Sequence, residues 1–571
     1  MKTYQLIMAA VLSAGFLLTA CANTLEATQD NIVEENADDL GNAGQTERQN
    51  INNTAINKTF QGETTIIDIE NVFSNRDLSG EYEEKECEKI TLRDGGSTTD
   101  STGVEIDGNT ITVQKEGTYI LDGAMENGMI IVDVDKTEKV QLVLNGVDIT
   151  STTSAPIYVR SADKVFITLA DQTTNTLANG GSFAAIDDNN IDAVIFSKDD
   201  LTLNGTGSLT ISSPAGHGIV SKNDLVITNG SYNITAASHG LSGKDSVAIA
   251  DGSFVITSGK DAIHSADDED DTVGWVYIAD GRFDFTAEGD GIEAVNEILI
   301  AGGSLNVTKS EEGLEARLIN ISGGTVDIIS SDDGLNATDK RTSTQTAQDG
   351  NAGGFGGPGD THEEANICIS GGVVRINAEG DGIDSNGYIT VSGGDVLVMG
   401  SSGGGDGALD YGISAQVSGG TVVAAGQSGM AVNFCEGSAQ GAILVNIQSQ
   451  QQAGTDVILL DSDGTELIAH TIEKGYNSVV VSCPGIIDGG TYTLKMGTEE
   501  TQVTMDGLIF GESHGPGGFG GGHDGHGDFG GGMKGGPDGM PHRGGKPNGE
   551  MPPDGEMPPN GEKPNSGRKQ K

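Results

Sequence analysis

Acidic side chains recur in this chain at one phase of a short repeat. Asp290, Glu312, Asp333, Asp381 and Asp406 each open a unit, and three residues later Glu293, Glu315, Asn336 and Asp384 form a second column, with Asp410 one step out of phase. Between the columns lies an apolar residue: Ile292, Leu314, Leu335 or Ile383. If the units stack as rungs of a parallel sheet, neighbouring carboxylates sit about 4.8 Å apart. At that distance they repel, so near neutral pH they protonate, splay or share a cation. Calcium takes six to eight oxygens at roughly 2.3–2.6 Å, so carboxylates on adjacent rungs can reach one ion. The acidic run Asp267-Asp268-Glu269-Asp270-Asp271 adds Asp267, Asp268 and Asp270 as further ligands. The expected cofactor is therefore Ca2+, against the plainer alternative of a solvated acidic ladder; spacing does not assign ligands to individual ions.

Other chemistries find less support. A lyase acting on an acidic sugar needs a cation at the uronate and a basic residue to take a proton. Arg317 and Arg375 are the candidates, and each is a more natural partner for neighbouring acids. Glycoside hydrolysis uses one tuned carboxylate pair, whereas a whole column of acids resembles a metal ladder. No catalytic residue is assigned. Trp275 could stack on a sugar, but a lone Trp more often packs. His514, His523 and His526 lie beside Asp524 and Asp528 in a tail whose simplest role is solubility. The Gly-rich runs follow no strand-to-helix pattern, so a phosphate loop is not expected.

What positions the acids is an internal repeat. His217-Gly218-Ile219 returns 22 residues later as His239-Gly240-Leu241, and Asp261-Ala262-Ile263 follows after another 22. Later units open at Asp290, Glu312, Asp333, Asp381 and Asp406, with glycine corners at Gly302-Gly303, Gly323-Gly324, Gly371-Gly372, Gly393-Gly394 and Gly419-Gly420. A period near 22 with two or three strands and no helix suits one coil of a β-solenoid. Corner glycines supply backbone angles that other residues resist. A β-sandwich would not return one tripeptide to one phase so persistently. The acidic insertion after Asp261 and a longer one, Lys340 to about Ala365, break the period; in solenoids such insertions cluster on one face. For Asp290 and Ile292 not to share a face, the glycine between them must mark a turn.

Composition agrees. There are 88 glycines in 571 residues against only 4% aromatics, and acids outnumber bases 84 to 31 for a net charge of −53. Such a chain offers no counterion release to nucleic acid, so none is expected as a partner. The N-terminus carries Lys2, an apolar run from Leu6 to Ala20, and Leu18-Thr19-Ala20-Cys21, which resembles a bacterial lipoprotein cleavage box. That resemblance implies lipidation of Cys21, a membrane anchor and a cell-surface, extracellular location. Cys87, Cys368, Cys435 and Cys483 lack CxxC spacing, which leaves disulfides or buried thiols open.

The expected organisation is a signal peptide with lipidated Cys over 1–21, a tether over 22–57, an N-terminal β region with the first coils over 58–190, and the acidic β-helix over 191–437. A small C-terminal β-domain over 438–508 caps the open end, and 509–571 is a Gly/Pro/His-rich tail expected to be disordered. Asp77-Leu78-Ser79-Gly80-Glu81-Tyr82, Gly117-Thr118-Tyr119-Ile120-Leu121-Asp122-Gly123 and the Asp-Gly-Ile coils together resemble the bacterial carbohydrate-binding β-helix proteins. These are clostridial surface proteins similar in fold to polysaccharide lyases. The resemblance runs from about Arg76 to Leu508. It implies an all-β, right-handed parallel β-helix, calcium on the coils, and binding of plant-wall polysaccharide such as polygalacturonate or cellulose by a monomer. The motif carries over at Asp290, Glu312, Asp333 and Asp381 and departs at His217 and His239, where the coils open without an acid.

Overall fold

The computed structural model describes residues 65–513 apart from 268, 269, 271, 341–360 and 404. The cleavage box with Cys21, the tether, Asp268, most of the long insertion and the tail histidines therefore lie outside the described residues. What is described is nearly all strand and turn, wound into a parallel β-solenoid of about 11 turns.

Each regular coil contributes three strands. In one, the single run Leu314–Ile321 supplies two legs and Thr325–Ser330 the third. Every leg pairs in parallel with the equivalent leg one coil on: Leu314 opposite Leu335, Ile319 opposite Ile367, Val326 opposite Val374. The interior is a column of fully buried Ile, Leu and Val, such as Ile263, Ile292, Leu314 and Leu335, all 0% exposed. Some of the few aromatics lie there too. Tyr232, Phe254 and Phe283 stack with centroids 5.0 and 4.9 Å apart and near-parallel planes. A coil alone could not bury this surface; stacking does it for all coils at once.

Glycine serves two different needs. At the corners, Gly303, Gly324, Gly372, Gly394 and Gly420 have φ between 79° and 88°, where a Cβ is strained. At the coil openings the need is proximity. A Cβ on Gly313 would meet the Gly334 carbonyl oxygen at 2.3 Å and Ile328 Cγ2 at 2.5 Å. The chain bends there, as alternation required, and the acids flanking the bend leave the strand face that Leu314 occupies.

Parallel pairing already begins at Glu88–Leu92, which lies beside Gly117–Met125. At the far end, Tyr476–Ser482 pairs antiparallel with the last coil strand Thr421–Gly426 and with Ala442–Gln451, closing an exposed edge. Thr455–Leu460, Glu466–Ile472, Thr491–Met496 and Glu499–Thr504 make a separate four-stranded antiparallel sheet, with a core that includes Val457, Tyr476 and Leu494.

Residues 65–82 form an outer strap that runs backward over coils formed much later in sequence. Ile66 N donates to Glu297 Oε2 at 2.7 Å, across 231 residues. Asp77 accepts from Thr202 Oγ1 at 2.6 Å and pairs with Lys164 Nζ at 2.8 Å. Arg76 lies over the Phe166 ring and donates to Gln141. Trp275 packs in the cluster of Ile67, Phe73, Tyr277 and Leu299 beneath the strap, so it is a packing residue. The four described cysteines are free thiols, Cys368 and Cys483 buried.

Candidate metal and glycan-binding face

Cross-coil register decides which side chains share a rung. Leu241, Ile263, Ile292, Leu314, Leu335, Ile383 and Leu409 stand in one row. Two positions before that row lie His239, Asp261, Asp290, Glu312, Asp333 and Asp381; one position after it lie His264, Glu293, Glu315, Asn336, Asp384 and Asp410. The final coil corrects the expected phase. Asp384 faces Asp410 directly, so Asp410 is in the second column, and Gly407 rather than Asp406 is level with Asp381.

The aspartates of the first column are tied by a repeated bond. The backbone N–H of each opening residue donates to the Oδ1 of the aspartate one coil back: Asp290 to Asp261 at 3.0 Å, Glu312 to Asp290 at 3.0 Å, Asp381 to Asp333 at 2.7 Å, and Gly407 to Asp381. A short side chain makes this reach, and it fixes one oxygen while leaving Oδ2 for a neighbour. Glu312 is longer and departs from the pattern: its Oε1 accepts from Asn336 Nδ2 at 2.9 Å, and its buried Oε2 has no hydrogen-bond partner.

Three clusters bring ligand atoms within 4.8 Å of one another: Asp290, Glu312 and Glu315; Asp261, Asp290 and Glu293; and His239, Asp261 and His264. These side chains are not on open solvent, for Asp290 and Glu315 are each 7% exposed. Burial, followed by the charges of Glu315 and Asp261, pushes Asp290 up to about 8. Burial with Glu315 and Asp290 pushes Glu312 up to about 10. Glu315 is also raised, by burial, although Lys340 opposes this. Further along, burial and Asp384 push Asp333 to about 8; burial, then Asp333 and Asp384, push Asp381 to about 9; burial and Asp410 push Asp384 to about 7. Asp333, Asp381, Asp384 and Asp406 complete no further triad within that distance among the described residues. Proximity, burial and the orphaned Glu312 oxygen make Asp290, Glu312 and Glu315 a fitting donor set for a hard cation.

The acidic insertion is placed otherwise than its composition suggested. Asp267 is 6% exposed and paired with Lys244 Nζ at 2.9 Å, and Asp270 caps Thr272. Neither joins a triad among the described residues. A charged insertion residue tends to satisfy its nearest lysine or backbone amide first, which sequence spacing does not reveal.

Two residues of the face were not singled out from sequence. His264 Nδ1 is 3.1 Å from Asp261 Oδ2 and 3.0 Å from Glu293 Oε2. Carrying the second column back one coil finds it, but the insertion masks the period. Lys340 reaches both Glu293 and Glu315, and no periodicity marks it. Its ammonium is held above the ordinary lysine range by those two acids, in spite of burial. Of the proposed bases, Arg317 is 5% exposed and paired with Glu364, and Arg375 lies 3.6 Å from Asp327.

Residues 107–354 match a protein-family model described as carbohydrate-binding domain-containing protein. That segment belongs to the carbohydrate-binding domain family. The three ligand clusters lie inside the matched segment. A curated relative of the same description, from Acetivibrio thermocellus, is 40% identical over 136 residues, covering 24% of this chain and 48% of the relative. The alignment thus spans about half of that relative's length. A solved structure described as the polysaccharide lyase-like protein from C. thermocellum, gadolinium derivative, is 35% identical, with 41% of this chain and 96% of that chain covered and a TM-score of 0.40.

Proposed function

We propose that the protein binds an acidic plant-wall polysaccharide, polygalacturonate before cellulose, through calcium held on the coil face, and does so without cleaving it. The observation that carries this reading is the carbohydrate-binding family match over residues 107–354, with the acid ladder inside it. A chain of net charge −53 holds a polyanion through a bridging metal or through local Lys and Arg. A divalent ion seated on Asp290, Glu312 and Glu315 bridges the two sets of carboxylates and removes the repulsion. Lys340 on this face is pinned between Glu293 and Glu315 and stays charged, whereas a lyase base must be free to accept a proton. The lipoprotein-like box ending at Cys21 supports display at the cell surface.

The test is retention of the full chain on immobilised polygalacturonate and cellulose, with calcium and then with chelator, while following the absorbance of unsaturated uronate. Calcium-dependent retention without product is expected. Product would make the protein a lyase. No retention on either glycan in calcium would overturn the binding reading.

A further inference from the structure

Where the acid ladder begins, its chemistry changes. His239 is only 8% exposed, and its Nδ1 has no hydrogen-bond partner. That nitrogen lies 2.8 Å from Asp261 Oδ2, well within bonding distance, so what is lacking is alignment. The same Asp261 oxygen is 3.1 Å from His264 Nδ1, which is 3.0 Å from Glu293 Oε2. The ligand atoms of His239, Asp261 and His264 thus lie within 4.8 Å of one another, and the Oδ1 of Asp261 is fixed separately by the backbone N–H of Asp290 at 3.0 Å. The His239 and His264 rings are stacked at 4.2 Å, 21° from parallel.

Both His264 contacts are hydrogen bonds in the metal-free protein, and the same separations are within reach of ligands around one ion. Two donors each about 2.1 Å from a metal are about 3.0 Å apart at 90° and about 3.4 Å apart at the tetrahedral angle zinc favours. The measured separations of 2.8, 3.1 and 3.0 Å lie at or just below the short end of that range, so an ion would draw the ligands slightly apart; the poor alignment of His239 with Asp261 follows if both atoms point at a common centre. Imidazole nitrogen selects late first-row ions over calcium, which prefers oxygen throughout. The backbone bond to Asp261 Oδ1 is the outer support that orients a ligating carboxylate.

We propose that His239, Asp261 and His264, whose ligand atoms lie within 4.8 Å of one another, form a binding site for one divalent transition ion of the zinc type at the histidine end of the acid ladder. The face then carries two metal sites of different chemistry, and the nitrogen-containing one does not depend on calcium or glycan binding elsewhere.

The experiment uses the full chain with His514, His523, His526 and His542 changed to Asn, so that the tail contributes no imidazole. After chelator treatment it is titrated with zinc chloride in millimolar calcium chloride by calorimetry. One tight zinc per chain is expected, weakened at least ~100-fold by His239→Gln or His264→Gln and unchanged by His470→Gln, a histidine that lies beside Asp395. Zinc binding that survives His239→Gln together with His264→Gln, or that calcium abolishes, overturns the proposal. If the double variant does not fold, cobalt absorption of the parent decides. Bands of a nitrogen-ligated ion support the site, and the spectrum of hydrated cobalt refutes it.

Discussion

Glu312→Gln separates an acid that waits for a cation from an acid that supports the fold. Asp290, Glu312 and Glu315 bring carboxylate oxygens within 4.8 Å of each other. Two unit charges at that distance cost about 3.5 kcal/mol at an effective dielectric of about 20, so three charged carboxylates cost about 10 kcal/mol. That is comparable to the whole stability of a domain. Without a cation the cluster must therefore carry protons, and Glu312, pushed up to about 10 by burial and its two neighbours, holds one at neutral pH. Replacing a neutral acid by its amide then changes the metal-free fold by less than about 1 kcal/mol. With calcium at 100 times its Kd the parent gains about 2.7 kcal/mol. A variant that binds 100-fold more weakly gains only about 0.4 kcal/mol at the same concentration. Urea unfolding in calcium and in chelator measures both numbers. The reasoning fails if the calcium increment survives in Glu312→Gln, or if the variant loses several kcal/mol in chelator.

Three other perturbations test neighbouring claims. Asp77→Ala removes the partner of Lys164, whose side chain is 15% exposed, and should cost about 3–5 kcal/mol in urea unfolding. Burial alone would raise the Asp77 carboxyl, but hydrogen bonds from Lys164, Ser74 and Thr202 outweigh it and set it below its ordinary value. Its stabilisation is therefore complete above the ordinary aspartate range and lost as pH falls through the lowered value; thermal unfolding below about pH 4 should fall more steeply in the parent than in Asp77→Asn. Since Asp410 and not Asp406 shares a rung with Asp384, Asp410→Asn should lower the acid-ladder calcium stoichiometry or affinity in calorimetry more than Asp406→Asn, and equal effects would refute the register. Trp275→Ala should cost about 2 kcal/mol through lost packing while leaving polygalacturonate retention unchanged; lost retention at full stability would make it a sugar contact.

The coil was legible because a solenoid writes its geometry into the sequence: Ile292, Leu314 and Ile383 recur at one phase because each must enter the same interior column. The first acid column was legible for the same reason as far as Asp381. It slipped at Asp406, where a coil opens with Gly407 level with Asp381 and the motif alone did not reveal the one-residue shift. His264 was hidden by the irregular spacing around the insertion. Lys340 and Lys244 could not be found by phase at all, because long side chains reach across rungs from positions the repeat does not constrain. The strap was invisible for a related cause: its bonds, such as Ile66 to Glu297, join residues with no periodic relation.

That strap reverses the order in which the chain can be completed. Its amide at Ile66 is seated on Glu297, and Asn320 Nδ2 holds the other oxygen of that carboxylate at 2.7 Å. The first described residues to leave a ribosome thus have no seat until more than two hundred later ones have wound into coils. Closing so long a loop is slow, whereas each coil adds to its predecessor locally. Maturation should therefore show two phases, fast winding and then late docking. Until the second is complete, Tyr277 and Leu299, which the strap covers, stay open to protease and to partners that assist folding.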